Sequence, residues 1–180
     1  MKDRTFLNLS EGLIGLFSGN ANNKAEILNE LFFTTHGRLN RKSYIFRSIL
    51  IGILTTIIFI FLTIYDYAAA SYLGKVLFTT VFLTLVIFLL ISNNSLTVRR
   101  LHDISASGYW AIIWIIPQLI GYVMILSGDI YMLALGYISG ISSLYTIFYF
   151  VDFIMWIILL FLRGKEGDNA YGPDPLANCK

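Results

Sequence analysis

Four long apolar runs, separated by short charged segments, constrain the fold of this chain more than any other feature. They cover about residues 46–65, 75–97, 109–127 and 130–151, and the last run can also be placed over 142–162. Each run is close to the ~20 residues that a helix needs to cross ~30 Å of hydrocarbon. With 57% hydrophobic and only 13% charged residues, the chain is also more apolar than a soluble domain of 180 residues. The sequence therefore predicts an all-α, polytopic membrane helix bundle with about four transmembrane helices.

Positive charge alternates from one connecting segment to the next. Clusters of Lys and Arg precede the first run, separate the second from the third, and follow the fourth. They are Arg38, Arg41, Lys42 and Arg47; Arg99 and Arg100; and Arg163 and Lys165. Because positive residues in short loops are retained in the cytoplasm, this pattern predicts an even number of crossings with both termini cytoplasmic.

Residues 1–36 are interpreted as an N-terminal extension. Within it, a stripe of four apolar side chains predicts an amphipathic helix over about residues 23–33, lying in the membrane interface. The stripe consists of Ile27, Leu28, Leu31 and Phe32. A soluble helix docked on a partner would show the same pattern, so both interpretations stay open, and residues 1–22 are not assigned.

Three predicted cytoplasmic segments carry polar motifs: GRLNRKSYIF (37–46), RRLHDISASGYW (99–110) and GKEGDNAYGPDP (164–175). In their Gly-Arg-x-x-Arg-x-x-Tyr, Arg-Arg-Leu-His-Asp and Gly-Asp-Asn-x-Tyr-Gly-x-Asp-Pro patterns they resemble the DUF805 family of bacterial inner-membrane proteins. The resemblance frames residues 37–175 as one membrane domain and leaves 176–180 as a C-terminal tail. It implies a small multi-pass protein of the bacterial plasma (inner) membrane, with no assigned activity.

The three motifs are interpreted as one cytoplasmic motif face that pairs cations with anions. Its predicted members are Arg38, Arg41, Arg99, Arg100, His102, Asp103, Asp168, Asn169, Tyr171 and Asp174. The alternative is a positive-inside anchor with a helix-capping aspartate, without a role in binding.

Helical spacing predicts the pairing within the second motif. If the helix continues past the second run, Arg99 and Asp103 are four residues apart and share a face, whereas Arg100 points about 100° away. Arg99 is therefore expected to pair with Asp103. Arg100 is then expected to reach anionic headgroups or a tail carboxylate, Asp168 or Asp174.

His102 is the side chain best suited to metal or acid–base chemistry near neutral pH. A metal site needs partners, but the only other histidine is the distant His36 and no cysteine lies nearby. Nucleophile, phosphate-loop and dinucleotide motifs are absent from the sequence. We therefore expect a structural histidine, no metal and no cofactor, and we interpret the tail as turns with ion pairing rather than a cation site.

Two features depart from plain apolar helix. If the last run spans residues 142–162, Asp152 falls near the midplane, where an ionisable group suggests ion or proton handling. If it spans 130–150, which we favour because the insertion cost disappears, Asp152 reaches the interface and the following apolar residues lie along it. The spacing Gly136-x-x-x-Gly140 predicts a close helix contact, either within the chain or in a homodimer.

The favoured function is a non-enzymatic membrane module that binds a partner protein or an anionic lipid through its cytoplasmic Arg and Asp motifs. The module is expected to contact the lipid bilayer. No nucleic-acid partner is expected. A small transporter or channel that uses Asp152 is one alternative. An enzyme acting on a membrane-embedded substrate through His102 and Asp103 is another.

Overall fold

The computed structural model describes residues 9–18, 21–68, 72–127 and 140–177 of the chain. The helices are α1 (Leu9–Ser18), α2 (Ala21–Leu28), α3 (Arg41–Ala68), α4 (Tyr72–Asp103), α5 (Ile112–Ser127) and α6 (Gly140–Phe161). A π-helical turn (Asn29–Phe33) continues α2, and a 3-10 turn (Gly108–Ala111) leads into α5. The remaining described residues form turns, extended segments and one isolated β-bridge, Asn169–Gly172. The prediction of an all-helical fold is confirmed for these residues.

The four long helices pack around one end of the molecule. Helix α3 contacts α4 and α6, and α5 contacts α6 and α4. The main buried cluster lies where α3 begins and where α4 and α6 end. It contains Leu39, Tyr44, Ile51, Leu96, Leu101, Ala111, Trp114 and Leu159. This core therefore joins the first and second motif segments to the last turns of α6.

Apolar side chains also cover the outside of the long helices. Examples are Phe61 on α3, Phe88 on α4, Leu119 on α5 and Phe150 on α6, all exposed. Large exposed apolar patches mark surfaces that contact lipid or protein. The four helices thus present an apolar belt next to the polar end that carries the motifs.

Helix length and composition give a direct test of the predicted spans. Within the described residues, Val76–Asp103 of α4 is the one helical stretch long and apolar enough to cross a membrane. Gly108–Ile120 and Tyr149–Phe161 are apolar but shorter. One span therefore has support of this kind, which is weak for a single helix, and the count of about four stays a prediction.

The last run differs from our favoured placement. Helix α6 is continuous from Gly140 to Phe161, whereas we expected the spanning helix to end near residue 150 and an interfacial segment to follow. Asp152 lies inside this unbroken helix, which packs on α5 and α3, and the part of the helix that crosses a membrane stays a prediction. Gly140 is the first residue of α6, whereas Gly136 lies outside the described residues, so the predicted glycine contact is not tested.

Candidate functional site

The carboxyl end of α4 lies against the other two motif segments. The last four carbonyl groups of a helix lack partners within it, so a buried helix end must find them elsewhere. Ala106 N–H donates to Leu101 O at 2.8 Å, and Lys165 N–H donates to Asp103 O at 2.8 Å. Asn169 Nδ2 donates to His102 O at 2.9 Å. One turn earlier, Leu39 N–H donates to Arg99 O at 3.1 Å. The first and third motifs therefore close the end of the helix that carries the second.

Two arginines meet one carboxylate beside this helix end. The NH2 of Arg38 lies 3.2 Å from Asp103 Oδ1, and the Nε of Arg38 donates to the same oxygen at 3.3 Å. Arg100 NH1 donates to Asp103 Oδ2. Arg38 and Arg100 are only 1% and 0% exposed. We call Arg38, Arg100 and Asp103 the Arg–Asp cluster; its position in the interior means that all three charges are withdrawn from solvent.

The remaining guanidinium donors bind backbone carbonyl groups. Arg100 Nε donates to Leu159 O at 3.1 Å, and its NH2 donates to Leu162 O. These carbonyls lie at the carboxyl end of α6, where the helix dipole and the unpaired carbonyls favour a cation. Arg38 NH1 donates to Gly167 O at 2.6 Å, and its NH2 donates to Lys165 O. Every guanidinium nitrogen in the Arg–Asp cluster therefore has a partner.

The Arg–Asp cluster leaves no room for a side chain at residue 164. A Cβ built on Gly164 would lie 2.8 Å from Asp103 Cγ and closer still to one carboxylate oxygen. Burial raises the pKa of the Asp103 carboxyl, while the guanidinium groups of Arg100 and Arg38 oppose that rise. The backbone at Gly164 thus forms one wall of the site that holds the carboxylate.

A second pair of buried arginines holds the N-terminal segment. Arg47 NH1 donates to Leu31 O at 2.7 Å, and Arg99 NH1 donates to Glu30 O at 3.0 Å. Both carbonyls belong to the π-helical turn that follows α2. The segment before the first motif is therefore docked on α3 and α4 by the same kind of guanidinium–carbonyl contact.

His102 joins the same end of the molecule to the tail. Its ring stacks on Tyr171 with centroids 3.9 Å apart and planes 5° apart. Its Nδ1 lies 3.2 Å from Gly37 O. Burial lowers the pKa of His102, and the hydrogen bond to Gly37 partly opposes this shift. The side chain therefore contacts both the first and the third motif, and its environment favours the neutral ring.

The tail carboxylates organise the loop of residues 163–177. Asp174 Oδ2 accepts a hydrogen bond from Gly167 N–H at 3.0 Å, and its Oδ1 accepts one from Leu176 N–H at 2.9 Å. Asp168 Oδ1 accepts one from Asp174 N–H at 3.2 Å. Gly167 has a φ of 75° and Gly172 a φ of 135°, values that favour glycine. These bonds set the turns that carry Asn169 and Tyr171 to α4.

Three expectations for individual side chains change. Asp103 pairs with Arg100 and with Arg38 rather than with Arg99. Arg99 instead binds the Glu30 carbonyl group. Arg100 is fully buried, so it does not reach headgroups, and it binds Asp103 and α6 rather than the tail carboxylates. Arg41 is exposed at the start of α3 and stands outside the Arg–Asp cluster.

Asp103 and the Nδ1 of His102, the groups of the enzyme alternative, are engaged by other parts of the protein. Both oxygens of Asp103 face arginines, and the Nδ1 of His102 faces a backbone carbonyl. Within the described part of the chain, no three His, Cys, Asp or Glu side chains are grouped to hold a metal ion.

Comparison with known proteins identifies a family for this arrangement. The family described as "Protein of unknown function (DUF805)" matches residues 32–173. The chain belongs to the DUF805 family. The resemblance predicted from the three motifs is confirmed, and the match includes all the motif-face residues except Asp174. No curated protein and no solved structure matches the chain. The DUF805 family has no assigned biochemical activity, so the function has to be argued from the site itself.

Sequence reasoning missed several residues of the site. Arg47 carried a signal, because an arginine at the start of an apolar helix needs a buried partner. Gly164 and the carbonyl groups of Leu159 and Leu162 carried none, since their role depends on where α6 ends against α4.

Replacing Asp103 with alanine is expected to destabilise the protein severely. The change leaves Arg38 and Arg100 buried without a counter-charge, which typically costs about 3–5 kcal/mol. The matched control is Glu166→Ala, which removes the partner of the exposed Arg163 and should cost no more than about 1 kcal/mol. Thermal unfolding of both purified variants in a mild detergent would compare them. Equal losses of stability would contradict the structural role of Asp103.

Gly164→Ala is expected to lower the thermal midpoint, because the new methyl group collides with the Asp103 carboxylate. Gly52→Ala should do the opposite, since nothing lies within 4 Å of a Cβ there. Alanine is better than glycine in a helix interior by about 1 kcal/mol. The same melting assay measures both changes, and a Gly164→Ala protein as stable as wild type would show that the backbone does not confine the carboxylate.

Acidification should destabilise the contacts of His102. Because its pKa is lower in the folded protein than in the unfolded chain, the unfolded chain gains the proton first, and stability falls as the pH drops below about 6.5. Thermal midpoints of wild type and His102→Gln between pH 7.5 and 5.5 measure this effect. The variant should show a smaller decrease across this range than wild type. Parallel curves for wild type and His102→Gln would contradict the assignment.

Proposed function

We propose that the protein is a non-enzymatic, multi-pass module of the bacterial inner membrane that binds anionic lipid headgroups at its cytoplasmic end. The observation that carries the membrane assignment is the exposed apolar belt on all four long helices. Exposing so many apolar side chains to water would cost free energy, whereas the acyl chains of a bilayer would cover them. The two termini and the motifs then lie in the cytoplasm, in agreement with the distribution of Lys and Arg.

The direction of the helices supports an even number of crossings. Helix α3 begins at the Arg–Asp cluster and α4 ends there. The 3-10 turn that starts α5 packs against α4 at the same end, and α6 ends at Arg100. The chain therefore leaves this end twice and returns to it twice, as four alternating spans would.

The exposed cations of the first motif are the residues best placed for lipid. The arginines of the Arg–Asp cluster already bind Asp103 and backbone carbonyls, so they cannot also bind a headgroup. Arg41 and Lys42 are exposed in the first turn of α3, immediately before its apolar surface. A cation there is unfavourable for the helix dipole, so helix stability does not explain it. We call these two residues the basic rim.

Neutralising the basic rim is expected to weaken the binding of phosphatidylglycerol. Each cation near an anionic surface contributes about 1 kcal/mol, so Arg41→Ala with Lys42→Ala should lower affinity by about 30-fold. Native mass spectrometry of the purified protein with added phosphatidylglycerol measures the retained lipid. The double exchange Arg41→Lys with Lys42→Arg keeps both charges and serves as the control.

Full retention of phosphatidylglycerol by the folded, neutralised variant would contradict the lipid assignment. If a protein from the native membrane were instead retained by wild type and lost from this variant, the basic rim would be a protein-binding surface. A homodimer through Gly136 and Gly140 stays a separate prediction, which crosslinking of single-cysteine variants would test.

Asp152 favours a second candidate function, transport of a cation or proton. It lies nine residues before the end of α6, about 14 Å from the cytoplasmic end of that helix. Its Oδ1 is buried and has no hydrogen-bond partner among the described residues. Ionisable side chains at such depth are rare and commonly belong to ion or proton pathways.

Reconstituted vesicles test this candidate directly. With a pH-sensitive dye inside the vesicles, transport predicts a proton flux above that of empty vesicles, lost in Asp152→Asn and retained in Asp152→Glu. A wild-type flux equal to that of empty vesicles, repeated with sodium and potassium gradients, would leave Asp152 without a transport role.

A further inference from the structure

Helices α1 and α2 form a hairpin that carries an uncovered apolar face. The two helices meet at Gly15, where an added Cβ would lie 2.8 Å from the Ile27 side chain. Around α1, Ile14 lies about 100° and Phe17 about 160° from Gly15, so both point away from that contact. Ile14 is 67% exposed and Phe17 is 88% exposed. The described residues therefore leave this face of α1 uncovered.

The segment after α2 fixes the hairpin beside the apolar belt. Arg99 donates to a carbonyl group of the π-helical turn, and Ser95 Oγ donates to Thr34 O. The Phe33 ring packs edge-on against Phe88, with centroids 6.2 Å apart. Phe88 is an exposed side chain of the belt, and it lies eleven residues before Arg99, or about 16 Å along α4. The contacts thus extend from the polar end of the molecule onto its apolar surface.

The apolar stripe of residues 23–33 packs partly within the protein. Leu31 is fully buried, and Ile27 lies against Gly15, whereas Leu28 stays exposed. The stripe that the sequence pattern assigns to the membrane interface is therefore used in part to hold the hairpin together and to the bundle. The face formed by Ile14 and Phe17 is left for a contact outside the chain.

The composition of α1 indicates what kind of contact this is. Its ten residues, LSEGLIGLFS, contain one acidic residue, Glu11, and no Lys or Arg. Helices that bind membranes partly through charge carry Lys and Arg on their polar face. Binding through α1 would instead depend on the burial of apolar side chains, and it would be insensitive to the charge of the headgroups.

We propose that α1 docks on the surface of the lipid bilayer, with Ile14 and Phe17 inserted among the acyl chains next to the headgroups. The continuity between the hairpin and the apolar belt carries this proposal, because a bilayer that covers Phe88 also lies beside α1. The inference rests on the proposed membrane position of the belt and does not involve the basic rim. It assigns a lipid surface as the partner of the N-terminal extension.

Quenching of a bimane label by brominated phosphatidylcholine tests this placement in proteoliposomes of the full-length protein. Single cysteines carry the label in a Cys179→Ser background, and fluorescence is compared with that in unbrominated lipid. Phe17→Cys reports on α1, and Phe150→Cys, at an exposed position of α6, reports on the belt. We expect a comparable loss of fluorescence at both positions. Replacing part of the lipid with phosphatidylglycerol should leave the loss at Phe17→Cys unchanged.

Ser18→Cys is the matched control on the same helix. Ser18 is exposed like Phe17 but lies about 100° farther around α1, so its label should be quenched less. The same dye at the neighbouring residue also controls for any affinity of the label itself for lipid. Equal quenching at Phe17→Cys and Ser18→Cys would contradict an inserted face.

The remaining outcomes separate this inference from the proposed membrane position. If neither Phe17→Cys nor Phe150→Cys is quenched, both assignments are overturned. Quenching of Phe150→Cys alone would keep the membrane position and reject the docking of α1. If unlabelled Phe17→Cys then formed a disulfide between two copies, the face would be a contact between copies instead.

Discussion

The carboxyl end of α4 is the constraint on which this end of the molecule depends. Its final carbonyl groups lie among packed segments, where unsatisfied backbone groups would be costly. The Leu39, Ala106 and Lys165 N–H groups and the Asn169 side chain satisfy them. One of these donors precedes α4 in the chain and the others follow it. The three motifs therefore form one hydrogen-bond network around the end of this helix.

The Arg–Asp cluster follows from the same constraint. The carboxylate of Asp103 counters Arg100, and Arg100 in turn binds carbonyls at the end of α6. A guanidinium group suits this arrangement because its planar donors can bind several acceptors at once. The result joins the ends of two helices through one residue. It also means that the most charged motif contributes to the interior of the molecule.

The sequence predicted the features that depend on composition and on patterns along the chain. These include the all-helical fold of the described residues and the family. The choice between Arg99 and Arg100 could not be predicted, because residues three and four apart both approach Asp103 along a helix. The π-helical turn decides it by drawing Arg99 toward Glu30 O. Likewise, the insertion cost of Asp152 favoured a span that ends before it, and the sequence does not reveal that one helix continues through this residue to Phe161.

The long sequence separation of the tail contacts has a consequence for biosynthesis. Arg38 binds the carbonyls of Lys165 and Gly167, residues that leave the ribosome well over a hundred residues after it. Until then, the carbonyl groups of His102 and Asp103 lack the donors that Asn169 and Lys165 supply. Closure of the polar end therefore reports that translation has passed the tail. A chain that ends before residue 165 would keep the contacts of Arg100 but lose the two carbonyl acceptors of Arg38. It would also lack the donors to the His102 and Asp103 carbonyl groups, and cellular proteases and chaperones can recognise such open polar groups.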